Sequence, residues 1–260
     1  MNQTMSRVKS GLYMATQSFS MLWEQKKLLL YTGLPALATF MVRVIFQNEH
    51  FKAAYYTWPS IIRVIAFMLP TAIMTFFTVA LMHHAARIMQ GRSCTVKESL
   101  KAATSKKSII LAWMAPTIAV QLLISLIGAY EGHHFAFVAI MISLFLLFWL
   151  LYTFFVLPLI TQTNGSLMEV MSTSAHIAKD QIPELAGGET WFAVVFILTA
   201  LPLIVYGLAT QKYEFDPIFN FFIIFVSEII INACISTAHS IFKVMLYQEY
   251  LKKTTPKPAV

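Results

Sequence analysis

The sequence predicts an all-α fold, a polytopic membrane helical bundle of six transmembrane helices with amphipathic interfacial helices on the cytoplasmic side. Three observations carry this. Apolar residues make up 58% of the 260-residue chain and charged residues only 12%, against roughly 45–50% and 25% in soluble domains. The charges are segregated, which leaves runs long enough to cross about 30 Å of hydrocarbon at about 1.5 Å per helical residue. Those runs are apolar at every position, whereas a membrane barrel alternates apolar and polar.

The elements follow in order. Residues 1–27 form an N-terminal amphipathic arm in which Val8, Leu12, Ala15, Phe19 and Leu22 recur at spacings of three and four. That face should rest in the membrane interface, with Arg7 and Lys9 near anionic headgroups. Residues 28–246 form the membrane domain, with spans at 28–47, 61–82, 108–128, 135–160, 191–211 and 217–246. The third, fourth and fifth contain no charge, while Arg43 interrupts the first. Pro35, Pro70, Pro116, Pro158 and Pro202 lie inside spans, where membrane helices tolerate them and kink. Short cytoplasmic helices are expected near 95–105 and 166–179. Thr95-Val-Lys-Glu98 and Ser166-Leu-Met-Glu169 each have the form of a capping box, and Val96, Leu100 and Ala103 share a face. Each box follows a proline-containing span and a glycine, Gly91 or Gly165, a pattern that suggests internal duplication. Residues 247–260 are a basic tail.

Lys and Arg set the orientation. With the N-terminus inside, fifteen fall on the cytoplasmic side and four, Arg43, Lys52, Arg63 and Lys212, at or near the outer side. Both termini are therefore expected in the cytoplasm, as an even number of spans requires. Trp58 and Trp191 stand where interfacial aromatics belong. The net charge of +7 is thereby a topology signal and not one for nucleic acid. No cleavable signal peptide is expected, because the first strongly apolar run begins at Leu28 and continues into a span. Cys94 and Cys234 fall in a cytoplasmic loop and a span, which disfavours a disulfide, and neither has a metal-ligand spacing.

Three stretches, "SFSMLWEQKKLLLYTGLPAL", "ALMHHAARIMQGRSCTVKESLKAATSKKSIILAWM" and "FFVLPLITQTNGSLMEVMSTSAHIAK", resemble the blocks of a bacterial membrane family, domain of unknown function number 6159. The three stretches span residues 18–179, about two-thirds of the chain. The resemblance implies a six-span prokaryotic inner-membrane protein and brings no catalytic residues. Family members often carry an acid just after the proline-containing fourth span and a base in the next helix. Here those places read Thr161-Gln162-Thr163 and Met171-Ser172-Thr173, which speaks against a charge-based role for that loop.

Glu228 is the first candidate site residue. It lies eleven residues in from Pro217, about 16 Å at helical rise, where a charged side chain costs about 2.5–3.5 kcal/mol and normally faces the bundle interior. Steps of four, four, three and four lead from it through Asn232, Ser236 and His239 to Lys243, on one helical face. That stripe is either a hydrated path for protons or a small polar solute, or interhelical glue with Arg43, Arg63 and Gln121 as partners. Glu49, His50, Glu131, His133 and His134 share the outer side and are weak candidates for a cation site, while His83 and His84 end the second span on the other side. Metallohydrolase strings, a nucleophile elbow and a phosphate-cradling glycine loop are all missing, so the expectation is no enzyme, no catalytic residue and no cofactor. "AGGET", 186–190, is expected as a flexible approach to the fifth span.

Arg87, Arg92, Lys97, Lys101, Lys106 and Lys107 cluster on one cytoplasmic loop, where each contributes on the order of 1 kcal/mol beside an anionic leaflet. The expected function is a non-enzymatic platform in the inner membrane that binds lipids or a partner. The alternative is a small-solute or proton-coupled transporter built on the sixth-span stripe. Expected contacts are membrane lipids, and a protein partner or second copy of the chain, with no nucleic acid.

Overall fold

The computed structural model describes the backbone of residues 2–47, 60–128, 135–212 and 217–254, and side chains principally over 3–38, 69–120, 140–202 and 233–254. Every regular element among them is helical, so the all-α expectation holds. In chain order they are α1 Asn2–Glu24, a 3-10 turn Lys26–Leu29, α2 Leu30–Gln47, α3 Ser60–Met89, α4 Val96–Ser105, α5 Lys107–Gly128, α6 Phe135–Thr153, α7 Val156–Gln162, α8 Leu167–Asp180, α9 Ile182–Lys212 and α10 Pro217–Thr254. Among the described residues, Leu69–Met89, Ile140–Gln162 and Ile182–Pro202 are long and apolar enough to cross a membrane, and Lys107–Val120 is a shorter apolar helix. Three such helices suggest a membrane protein.

Among the described residues, one cluster forms most of the core. Leu28 and Tyr31, Val79 to Leu81, Ile110 and Trp113, Phe154 to Val156 with Leu159 and Ile160, Leu185 and Phe192, and Ala238, Ile241, Phe242 and Leu246 belong to one buried cluster. These are the starts of the first, third and fifth apolar runs and the ends of the second, fourth and sixth. Polar bonds tie the same level together. The Tyr31 hydroxyl lies 2.8 Å from His84 Nδ1, and Thr32, at the start of α2, donates to the Ala233 carbonyl of α10.

Both capping boxes form. Thr95 Oγ1 accepts from the Glu98 amide at 3.2 Å while Glu98 accepts from the Thr95 amide at 2.8 Å, and Ser166 and Glu169 repeat the exchange. The backbone bond from Thr95, then its hydroxyl, hold the Glu98 carboxyl below its ordinary range. As expected, Ala103 is buried, and Val96 and Leu100 are partly buried against the same core. The two glycines do different work. Gly91 takes a left-handed φ of 69° and closes α3, with the Arg92 amide bonding back to the Arg87 carbonyl, as glycine does after a helix end. Gly165 has no positive φ and sits against the Glu169 carboxylate.

The fourth apolar run is not one straight helix. It turns at Phe154 and Phe155 between α6 and α7, because Pro158 has no N–H and its ring crowds the carbonyl four residues back. Ser174 of α8 supplies what the break leaves open: its buried hydroxyl accepts from the Phe155 amide at 3.1 Å and donates to the Tyr152 carbonyl at 2.8 Å. Two helix runs at different heights are thereby stapled by one side chain.

Helix α1 packs on α9 and α10. Ala15 and Ser18 are wholly buried and Leu22 nearly so, and Phe19 meets Phe192 with ring centroids 5.6 Å apart. The face that the heptad-like spacing assigns to the membrane interface is, at these positions, covered by protein. Leu12, Tyr13 and Trp23 remain exposed. Close approach depends on glycine: a Cβ on Gly11 would overlap the Glu184 carbonyl, and one on Gly187 the Val8 carbonyl. A Cβ on Gly188 would overlap the Phe242 ring. "AGGET" is therefore not a flexible approach but helix, inside α9. Its two glycines are selected by contact.

Substituting Gly187 by valine should separate α1 from α9 and cost about 1–3 kcal/mol, as overpacking does. Denaturation of the detergent-solubilised protein, followed by helical circular dichroism, reads this; a wild-type midpoint would contradict the close approach.

Candidate functional site at the polar end of the bundle

The C-terminal half of α10 carries the lower part of the predicted stripe, Ser236, His239 and Lys243, one helical turn apart at each step. His239 Nε2 lies 2.6 Å from Glu189 Oε1 of α9, with side-chain exposures of 30% and 46%, so the pair is reached from outside the bundle. Phe192, one turn after Glu189, meets the His239 ring edge-on at 4.9 Å between centroids, and Phe154 meets it at 5.9 Å. Phe242 stacks on it at 6.4 Å. The Lys243 ammonium sits 4.6 Å from the centroid of Phe154, close enough for a cation–π attraction. A carboxylate, an imidazole and an ammonium thus share one aromatic-walled recess. Such a group can hold or pass a proton along the His239–Glu189 bond. The stripe therefore has a partner on α9 that its own spacing did not identify.

A second polar centre lies nearer the chain ends. Glu184, in the first turn of α9, has no exposed side-chain surface. Arg7 of α1 donates to it through Nε at 2.7 Å and through a second nitrogen at 2.8 Å, a bidentate grip, and also bonds the Asp180 carbonyl. Lys253, near the end of α10, approaches the same carboxylate at 3.3 Å and bonds Glu249 at 2.8 Å. The Glu184 hydrogen bond holds the Arg7 guanidinium above its ordinary value. This cluster joins the first helix, the ninth and the tenth. A buried acid matched by two cations is costly to leave half-paired, and the first-turn position is itself favourable for a negative charge.

The basic cluster divides. Arg92, Lys97, Lys101 and Lys107 are exposed. Lys97 and Lys101 stand one turn apart on α4, whose Ser99 and Ala103 are buried. Lys106 is occupied: its ammonium donates to the Thr163 carbonyl and to Asn164 Oδ1, tying the α4–α5 junction to the loop before α8. Arg87 is partly buried, with its Nε enclosed. The free face is smaller than the six residues the sequence groups together.

The side chains of Glu228, Asn232, Arg43, Arg63 and Gln121 lie outside the described residues, as do Glu49, His50, Glu131, His133 and His134. No group of three or more potential metal ligands occurs among the described residues. His84 is buried against Tyr31. Both cysteines are free. Sequence reasoning passed over Glu184 and Glu189. The available signal was their spacing: from Glu184, steps of three and two reach Gly187 and Glu189, so an acid, two small residues and a second acid precede the Trp191 boundary on what could be one helix.

No protein-family model, curated protein or solved structure matches the chain.

Arg7→Ala should destabilise by about 2–3 kcal/mol, less than the about 3–5 kcal/mol of a fully enclosed pair, since Arg7 is 37% exposed. Glu184→Gln should cost less, because it leaves only cations that can turn to water. Equilibrium denaturation of both variants checks the ranking, and a larger loss in Glu184→Gln would contradict it.

Proposed function

We propose that the chain is a six-span protein of the inner (cytoplasmic) membrane, with both termini in the cytosol. It acts as a non-enzymatic platform whose exposed basic rim binds anionic lipid headgroups. The alternating ends of the six apolar runs, brought into one cluster, support the antiparallel threading. So does the meeting of Arg7 and Lys253 on one carboxylate, which puts the first and last helices at the same end. The lengths of α9 and α10, 31 and 38 residues, exceed the about 20 residues that a hydrocarbon core requires, so both can project beyond it. The resemblance of the three sequence blocks to the domain of unknown function number 6159 family supports the same plan.

The observation that carries the platform reading is the exposed Lys97–Lys101 pair with Arg92 and Lys107, at the end where the runs converge. At the end of α1, Trp23 is 77% exposed, with the Lys26 ammonium 5.2 Å from its ring, a pairing suited to an interface. A three-residue reversal, Lys97→Glu with Lys101→Glu and Lys107→Glu, tests this. Wild-type protein in zwitterionic nanodiscs should co-float with phosphatidylglycerol liposomes, and the variant should lose this, each lysine contributing on the order of 1 kcal/mol. Undiminished co-flotation of the variant would overturn the reading.

The recess of Glu189, His239 and Lys243 favours a second reading, a proton-coupled transporter whose stripe begins at Glu228. Glu189→Gln and Glu228→Gln should then each abolish pH-dependent solute flux in proteoliposomes. Wild-type growth and flux in both variants would retire it.

A further inference from the structure

A groove of about 450 Å³ runs between α6 and α8. One wall is Phe148, Leu151 and Tyr152 of α6; the other includes Ser172, His176 and Lys179 of α8. The two walls differ in kind for a reason visible in each helix. Helix α6 is apolar all round, and Ile140, Met141, Leu144, Leu147 and Phe148 expose 47–66% of their surface. In α8, Val170, Ser174, Ile177 and Ala178 are turned to the core. Ser172, His176 and Lys179 follow at steps of four and three on the exposed side, which places them on one face. Along the groove the surface therefore passes from exposed apolar side chains to a hydroxyl, an imidazole and an ammonium. Of the two acids in α8, Glu169 is engaged in its own capping box, and Asp180 lies one residue beyond Lys179, about 100° around the helix.

We propose that this groove holds one anionic glycerophospholipid, with an acyl chain along Phe148, Leu151 and Tyr152 and the phosphate against Lys179, His176 and Ser172. The proposal rests on the membrane reading above and not on the basic rim. Three features select the occupant. The apolar wall is continuous with the exposed flank of α6, most of which belongs to Ile140–Gln162, a stretch long and apolar enough to cross a membrane, so a chain entering the groove comes from the bilayer. A soluble phosphate would leave that wall wet. The polar wall carries two cation-capable groups and a donor hydroxyl, which match a phosphodiester. A headgroup with its own ammonium would oppose Lys179, which favours phosphatidylglycerol over phosphatidylcholine.

The test uses the full chain in mild detergent, incubated with phosphatidylglycerol or phosphatidylcholine and examined by native mass spectrometry for retained lipid. Lys179→Glu should lower retained phosphatidylglycerol at least about fivefold and leave phosphatidylcholine little changed. Ala175→Trp, which fills the groove from its lining, should lower both. The rim variant at Lys97, Lys101 and Lys107 should retain wild-type amounts. Helical circular dichroism accompanies each variant, and His176→Gln provides a milder substitution expected to act in the same direction. Wild-type retention by both Lys179→Glu and Ala175→Trp would overturn the groove. Loss confined to the rim variant would also overturn it, by assigning the lipid to the rim. Loss in the groove variants, with the rim variant failing only in co-flotation, supports both sites separately. If the rim variant co-floats normally while Lys179→Glu loses its lipid, the platform fails and the groove stands. A dimer that dissociates in Ala175→Trp with lipid retention unchanged would identify a second copy as the occupant.

Discussion

A carboxylate shut away from water must be met by donors, and the way Glu184 is met governs this end of the molecule. Its donors come from opposite ends of the sequence, Arg7 in α1 and Lys253 near the end of α10. For both to reach one side chain, the start of α1 and the end of α10 must lie at the same level. Gly11 and Gly187 let α1 approach the backbone of α9 closely enough for Arg7 to close on the acid. The charge cluster and the glycine contacts are therefore one device, in which small residues permit the approach and the ion pairs fix its register.

The other features at this level follow from that closure. With α1 seated, Phe19 reaches Phe192, and Phe192 forms a wall of the His239 recess. Phe154, released by the turn ahead of α7, supplies another wall and the ring beneath Lys243. Ser174 holds that turn from α8, while the opposite face of α8 presents Ser172, His176 and Lys179 outward. Packing, the polar recess and the groove between α6 and α8 are thus linked through a few side chains. Among the described residues, the ionisable groups lie toward the ends of the apolar runs, which is where water or headgroups can offset their cost.

The all-α class and the apolar runs were legible because hydrophobicity that dense leaves few alternatives. The capping boxes were legible because they are local: Thr95 with Glu98 and Ser166 with Glu169 are three residues apart, and sequence spacing is spatial spacing there. What escaped is non-local. Glu189 and His239 are separated by fifty residues, and no periodicity links them. Proline and two glycines make "IPELAGGET" look like a loop, although Pro183 sits in the first turn, where a missing N–H costs nothing, and the glycines are held by contact. Lys106 looks like another rim charge until the loop before α8 is brought against it. The hydrophobic face of α1 was correctly located along the chain, but spacing alone does not distinguish a lipid surface from α9 and α10 as its cover.

Cysteine accessibility measures the shared-end arrangement directly. In a Cys94→Ser, Cys234→Ser background, single cysteines are placed at the exposed Lys9 and Lys252 and treated with a membrane-impermeant maleimide in intact cells and in inverted vesicles. Both should react in inverted vesicles alone. Labelling of the two sites from opposite faces of the membrane would contradict the arrangement in which Arg7 and Lys253 share Glu184.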